Sequence, residues 1–153
     1  MDDSVFKAFS EGCAENLADS VEEILEAAGG SCAIGFITTD DFYGCYLAWN
    51  KGHNLTDYSK WENALYPDYL YQPLADIVDG CSDIDFCERS DEKWAFAEAL
   101  LKGLAERIKE LPDGLFMRHS LARKDVLFFA AMSDGDYVEE LLDASVKWLN
   151  GNT

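Results

Sequence analysis

A chain of 153 residues with 48% apolar and 13% aromatic side chains is long enough to bury a core of its own, which excludes intrinsic disorder. Against 12 basic residues stand 30 acidic ones, a formal net charge of −18, and a field of that sign repels nucleic acid and anionic membrane surfaces. No apolar run approaches the roughly 18 residues of a membrane span, MDDSVFKAFSEG lacks the basic and apolar regions of a signal peptide, and the 5 cysteines are an odd number, so a cytoplasmic chain with reduced thiols is expected.

In chain order, Phe6, Phe9, Cys13, Leu17, Ile24 and Ala28 recur at steps of three and four, with Ser20 in the gap. That spacing predicts one long amphipathic helix, capped by Ser4 or Asp3 and ended by Gly29-Gly30. Glu11, Glu15, Glu22 and Glu26 fall on a different face of it. SCAIGFITT (31–39) and FYGCYLAWN (42–50) are β-branched and aromatic runs around Asp40-Asp41, the pattern of an antiparallel hairpin. Gly35 and Gly44 leave room in it for a close neighbour. From Lys51 to Arg89 the periodicity fails, which suggests a loop packed by its own rings, with a short helix over 73–79 opened by Pro73 and closed by Gly80.

Ser90 then caps a second long helix with the stripe Trp94, Ala97, Leu101, Leu104, Ile108 and Leu111, stopped by Pro112-Asp113-Gly114. VLFFAAM (126–132) has no alternation, which predicts a strand covered on both faces and hence central. Residues 137–149 give the last helix, with Val138, Leu141, Leu142, Ser145 and Leu149 inward. No repeat or linker divides the chain. The expected architecture is a single α+β domain, 1–153: a small, mainly antiparallel sheet, made of the hairpin plus a central strand near 126–132, packed by long N-terminal, middle and C-terminal helices.

Asp134-Gly135-Asp136 sits where a strand runs into a helix, a place where some enzymes hold a metal. A calcium loop, however, needs acids at alternate positions and a Glu at the twelfth, and that position is Ser145. Free N–H groups at a helix start explain Asp134 and Asp136 more simply, so both are expected to be caps. His53 and His119 lie apart, Cys81 and Cys87 are too loosely spaced for zinc, and Cys32 and Cys45 read as strand residues facing the core. No phosphate loop, G-x-S-x-G elbow or H-E-x-x-H motif occurs. No catalytic residue, metal ligand or cofactor is therefore assigned.

Two features remain. CSDIDFCERSDE (81–92) gathers Asp83, Asp85, Glu88, Asp91 and Glu92 around Ile84 and Phe86. As a bland reading it is a solvated loop before a helix; functionally, an acidic loop with an exposed aromatic could anchor a basic partner, with Trp61, Tyr66, Tyr69 and Tyr71 as further rings. Arg118, Arg123 and Lys124 form the one local basic cluster, read as counter-charge for the carboxylates, with a phosphate site as the weaker alternative.

Taken together, the long N-terminal helix, the hairpin, the segment YSKWENALYPDYLYQPLADI, the helix ending LPDGLF, the strand running into SD and the terminal LLDASVKWLN resemble the bacterial domain-of-unknown-function family DUF4303. The resemblance covers most of the chain and implies no catalytic residues; it also suggests a likeness to small bacterial immunity proteins. Two functions follow as expectations: an acidic binding protein for a basic protein, such as the toxin domain of a nuclease, or a small-molecule protein or enzyme with a pocket lined by the aromatic segment 58–71.

Overall fold

The computed structural model of the chain describes residues 3–133, 135 and 137–151. In order the elements are helix α1 (Lys7–Ala28), strands β1 (Cys32–Thr38), β2 (Cys45–Lys51) and β3 (Ala64–Leu65), helices α2 (Asp68–Gly80), α3 (Asp91–Lys109) and α4 (Asp113–Met117), strand β4 (Val126–Met132) and helix α5 (Val138–Leu149). The fold is α+β, as the sequence predicts.

Helix α1 buries the expected stripe, with Val21 and Leu25 added to it. Its start lies later than expected: a 3-10 turn, Asp3–Phe6, leads in, and Phe6 takes the cap position without a side-chain bond. Gly29 ends it in the left-handed region (φ 67), donating its N–H to Leu25 at 3.1 Å.

β1 and β2 form the expected antiparallel hairpin, and β4 joins β1 in parallel, giving the order β3-β2-β1-β4. Here the expectation of a central 126–132 strand is corrected. β1 is the strand buried at every position, and β4 lies at the sheet edge. Its apolar run reads as central because α5 covers that edge and stands in for a further strand. Asn150 Oδ1 accepts from the Phe128 N–H at 2.9 Å, and its Nδ2 donates to the Phe128 carbonyl at 2.8 Å. Ser145 Oγ accepts from the Ala130 N–H at 2.8 Å and has the carbonyls of Ala130 and Leu142 within 3.0 Å for its own proton. The polar Ser145 in an apolar helix stripe is thereby explained: it answers backbone groups that burial would otherwise leave unpaired.

Each face of the sheet has its own cover. Ile34, Phe36, Leu47, Phe128 and Met132 share a core with α1, α2 and α3, at one end of which the rings of Phe6, Phe42, Phe86 and Phe96 interlock. On the other face Ala33, Ile37, Ala48, Phe129 and Ala131 lie under Leu55, Tyr58, Trp61, Leu142 and Val146. The Tyr58 hydroxyl ties the 52–63 segment down by donating to the Met132 carbonyl at 2.7 Å. Gly35 is required here, because the Phe129 ring occupies the space a Cβ would take.

The expected short helix over 73–79 runs from Asp68 to Gly80 instead, with Pro67 at the cap and Pro73 inside. Pro73 lacks the N–H that would reach Tyr69, but Leu70, Leu74 and Ala75 bury fully, and that apolar gain outweighs one lost bond. Ser90 caps α3 as expected, accepting from the Lys93 N–H at 3.1 Å. The buried stripe of α3 gains Phe96 and Leu100, while Trp94 is only half-buried.

All five cysteines are free; Cys13, Cys32 and Cys45 are buried, Cys81 is half-buried and Cys87 exposed. Burial pushes the Cys13 thiol up to about 12 and the Cys32 thiol to about 11, and raises Cys45 further. Thiol titration of the native protein is therefore expected to label Cys87 first and Cys81 more slowly, and the other three only after denaturation. Fast native labelling of Cys13, Cys32 or Cys45 would contradict this packing. Among the described residues no helix is long and apolar enough to cross a membrane.

Candidate partner-binding surface

The turn between β1 and β2 and the outer face of α2 build one surface. The turn is braced locally: Thr38 Oγ1 donates to the Gly44 carbonyl at 2.6 Å, and Thr39 Oγ1 accepts from the Tyr43 N–H at 3.0 Å. Phe42 turns inward onto Phe86 and Phe96, so its neighbour Tyr43 turns outward and remains 37% exposed. Gly44, at φ 92, lets α2 approach, because the Tyr71 ring lies where a side chain would stand. Tyr71 itself is 50% exposed, and Tyr66, stacked on Tyr46 with centroids 5.0 Å apart, is 74% exposed.

Carboxylates stand beside Tyr43. The Tyr43 hydroxyl donates to Asp79 Oδ2 at 2.9 Å, and this bond, with the charges of Asp79 and Asp76, holds the phenol above its ordinary value. Asp68, Asp76 and Asp79 are exposed along α2, and the chain continues directly into exposed Asp83, Asp85 and Glu88. Among the described residues no Lys or Arg pairs with any of these six carboxylates. A few acids elsewhere are answered by cations. Glu22 of α1 meets Arg118 at 3.3 Å and His119 at 3.0 Å, and Glu140 at the start of α5 meets Arg89 at 2.5 Å, which lowers the Glu140 pKa.

The expected site residues thus divide. Tyr71, Asp83, Asp85 and Glu88 are exposed on this side, whereas exposed Tyr66 stacks on Tyr46, which packs with Trp61 on the opposite face of the sheet. Phe86 is buried instead, and is corrected: only 7% exposed, it packs edge-on to Phe96 at 4.9 Å, the apolar peg that fastens an otherwise acidic loop to the core. Trp61 is half-buried on the opposite face of the sheet, edge-on to Phe129 at 5.6 Å. Tyr69 is half-buried against Gly12 of α1, its hydroxyl 2.8 Å from Ser20 Oγ. Tyr43 was not singled out by sequence; the signal available was its place beside Asp41 and Phe42 at a hairpin turn, where one of two adjacent rings must face outward.

At the carboxyl ends of β1 and β4, Lys93 is fully buried, with Nζ 3.1 Å from Asp40 Oδ1 and 5.8 Å from the Tyr137 ring centre. The Tyr137 hydroxyl donates to the Ser90 carbonyl at 2.8 Å, which locks α5 to the start of α3. This arrangement reads as a structural ion pair within a ring contact. The expected capping by Asp134 and Asp136 lies outside the described residues. Among those described, no three His, Cys, Asp or Glu side chains converge as a metal site would require. No family model, curated protein or solved structure matches this chain.

Proposed function

We propose that this chain is a cytoplasmic binding protein for a basic protein, engaged through Tyr43 and Tyr71 and the carboxylates of α2 and the 83–88 loop. The resemblance to DUF4303 and to small immunity proteins extends the proposal: the partner is a cationic, nuclease-type toxin domain, and binding covers its active surface. The observation that carries the reading is the exposed pair Tyr43 and Tyr71 beside the carboxylates of α2, which have no Lys or Arg partner among the described residues. A net charge of −18 points the same way, since solubility in a small domain asks for a magnitude of only about 2–8.

Rings and acids contribute differently. Carboxylates steer a cationic partner and accept its arginine forks, while tyrosine supplies large contact area at little entropy cost and a face for the same guanidinium groups. The alternative, a small-molecule pocket under residues 58–71, is disfavoured because Tyr58 and Trp61 direct their rings onto Phe129.

The test begins with capture from an extract of the source cell, followed by identification and purification of the recovered protein. Tyr71→Ala is expected to weaken binding by about 2 kcal/mol, mainly through faster dissociation. Reversal of Asp83, Asp85 and Glu88 to Lys is expected to slow association with the melting temperature nearly unchanged. A partner that is not basic, or one indifferent to both variants, would sink the reading.

A further inference from the structure

Away from the tyrosine surface, at the opposite end of the sheet, a cavity of about 490 Å³ opens between the end of α3, the start of β4 and the end of α5. Its volume lies in the range of small-molecule sites, about 300–1,000 Å³. Ile108, Val126, Phe128 and Leu149 give it a buried apolar floor, and the exposed Trp148 forms one wall. The rim reverses the character of the molecule. The chain holds 12 Lys and Arg against 30 Asp and Glu, yet among the described residues the lining carries Lys109, Arg123, Lys124 and His53 and no acid.

Helix ends do not account for all of this charge. Arg123 answers the last carbonyls of α3: Nη1 donates to Ile108 at 2.9 Å and Nη2 to Leu111, with Asp113 at 3.3 Å and the Phe116 ring 5.0 Å away. Asn150 Nδ2 does the same on α5, donating to Val146 at 2.7 Å. Lys109 stands in the last turn of α3, where the helix dipole favours a cation. Lys124 belongs to no long helix, and among the described residues neither lysine has a carboxylate partner. His53, held by its Nε2 2.8 Å from the Asp125 carbonyl, closes the rim from the β2 side.

We infer that this cavity binds a small amphipathic carboxylate, its apolar body on Phe128, Leu149 and Trp148 and its head group between Lys109 and Lys124. Because the guanidinium of Arg123 is already committed, no bidentate fork is left for the head group, which meets two ammonium point charges that the two oxygens of one carboxylate can share. This site is independent of the tyrosine surface, so either assignment can fail alone.

The probe is octanoate below its micellar range, followed through the Trp148 indole N–H resonance, which Trp148→Phe identifies. Octanoate is expected to bind saturably and at least about tenfold more tightly than 1-octanol or octylammonium, each tenfold being about 1.4 kcal/mol. Lys109→Glu with Lys124→Glu is expected to abolish that preference while leaving the melting temperature within a few degrees, both side chains being exposed. No saturable shift, equal binding of 1-octanol, or an unchanged preference in the double variant would overturn the assignment.

Discussion

Replacing Ser145 by Ala together with Asn150 by Leu is expected to destabilise the fold by about 4–6 kcal/mol, since each buried backbone group left without a partner costs about 1–3 kcal/mol. The two side chains answer the N–H and carbonyl groups of Phe128 and Ala130 along the outer edge of β4. Ser145 is fully buried, so water cannot replace its hydroxyl, whereas at half-buried Asn150 water recovers part of the loss. Denaturant unfolding at constant m is the measurement. Asn150→Asp provides a control: it retains an acceptor for the Phe128 N–H but loses the donor to its carbonyl, and is expected to cost less than Asn150→Leu. The double variant should also aggregate as concentration rises, because its exposed edge offers unpaired groups to a second chain. A loss below about 1 kcal/mol would show that α5 merely packs on β4 and does not complete it.

Alkaline pH gives the second large effect. Below the ordinary thiol value of 9.0 both folded and unfolded chains keep their thiol protons, and the contribution of the buried thiols is fully present. Above it the unfolded chain loses those protons while the folded chain holds them, up to about 11 at Cys32 and about 12 at Cys13, with Cys45 higher. The unfolded state then binds fewer protons, so stability falls as pH rises, by at most about 1.4 kcal/mol per pH unit for each thiol. Burial raises Tyr69 as well, which steepens the fall above the tyrosine range. The melting temperature is expected to drop sharply between about pH 9 and 11. Cys13→Ala and Cys45→Ala should start lower at neutral pH because of the cavities they leave, yet show a shallower alkaline slope. An identical slope in both variants would assign the loss to net-charge repulsion instead.

Where the sequence carries a clean period, it predicts this fold well. The α1 stripe, the Ser90 cap, the hairpin and the inward face of α5 all rest on spacing or turn chemistry that neighbouring packing reinforces. The edge position of β4 was not legible, because an apolar run reports burial of faces and says nothing about which edge is paired. Asn150 hid the answer: a polar residue past the last helix resembles an end signal, yet it works as a strand partner. Helix α2 was half-missed because Pro73 and three tyrosines mask the step from Leu70 to Leu74 to Ile77. For the surface, acids were legible and rings were not. Phe86 and Tyr66 look alike as aromatic residues among polar neighbours, but one fastens a loop to the core and the other stacks outside on Tyr46.

The central claim is that the tyrosine–carboxylate surface exists to meet a cationic protein. Its most direct test is the association rate of the purified partner, measured from low to high salt for the native chain and for Asp76→Lys with Asp79→Lys. For the native chain the rate is expected to fall by about tenfold or more as the Debye length shrinks from about 30 to about 8 Å. The variant is expected to start slower and to respond weakly to salt, with its melting temperature little changed because both carboxylates are exposed. A native rate that ignores salt, or a variant with the native rate and salt response, would contradict the account.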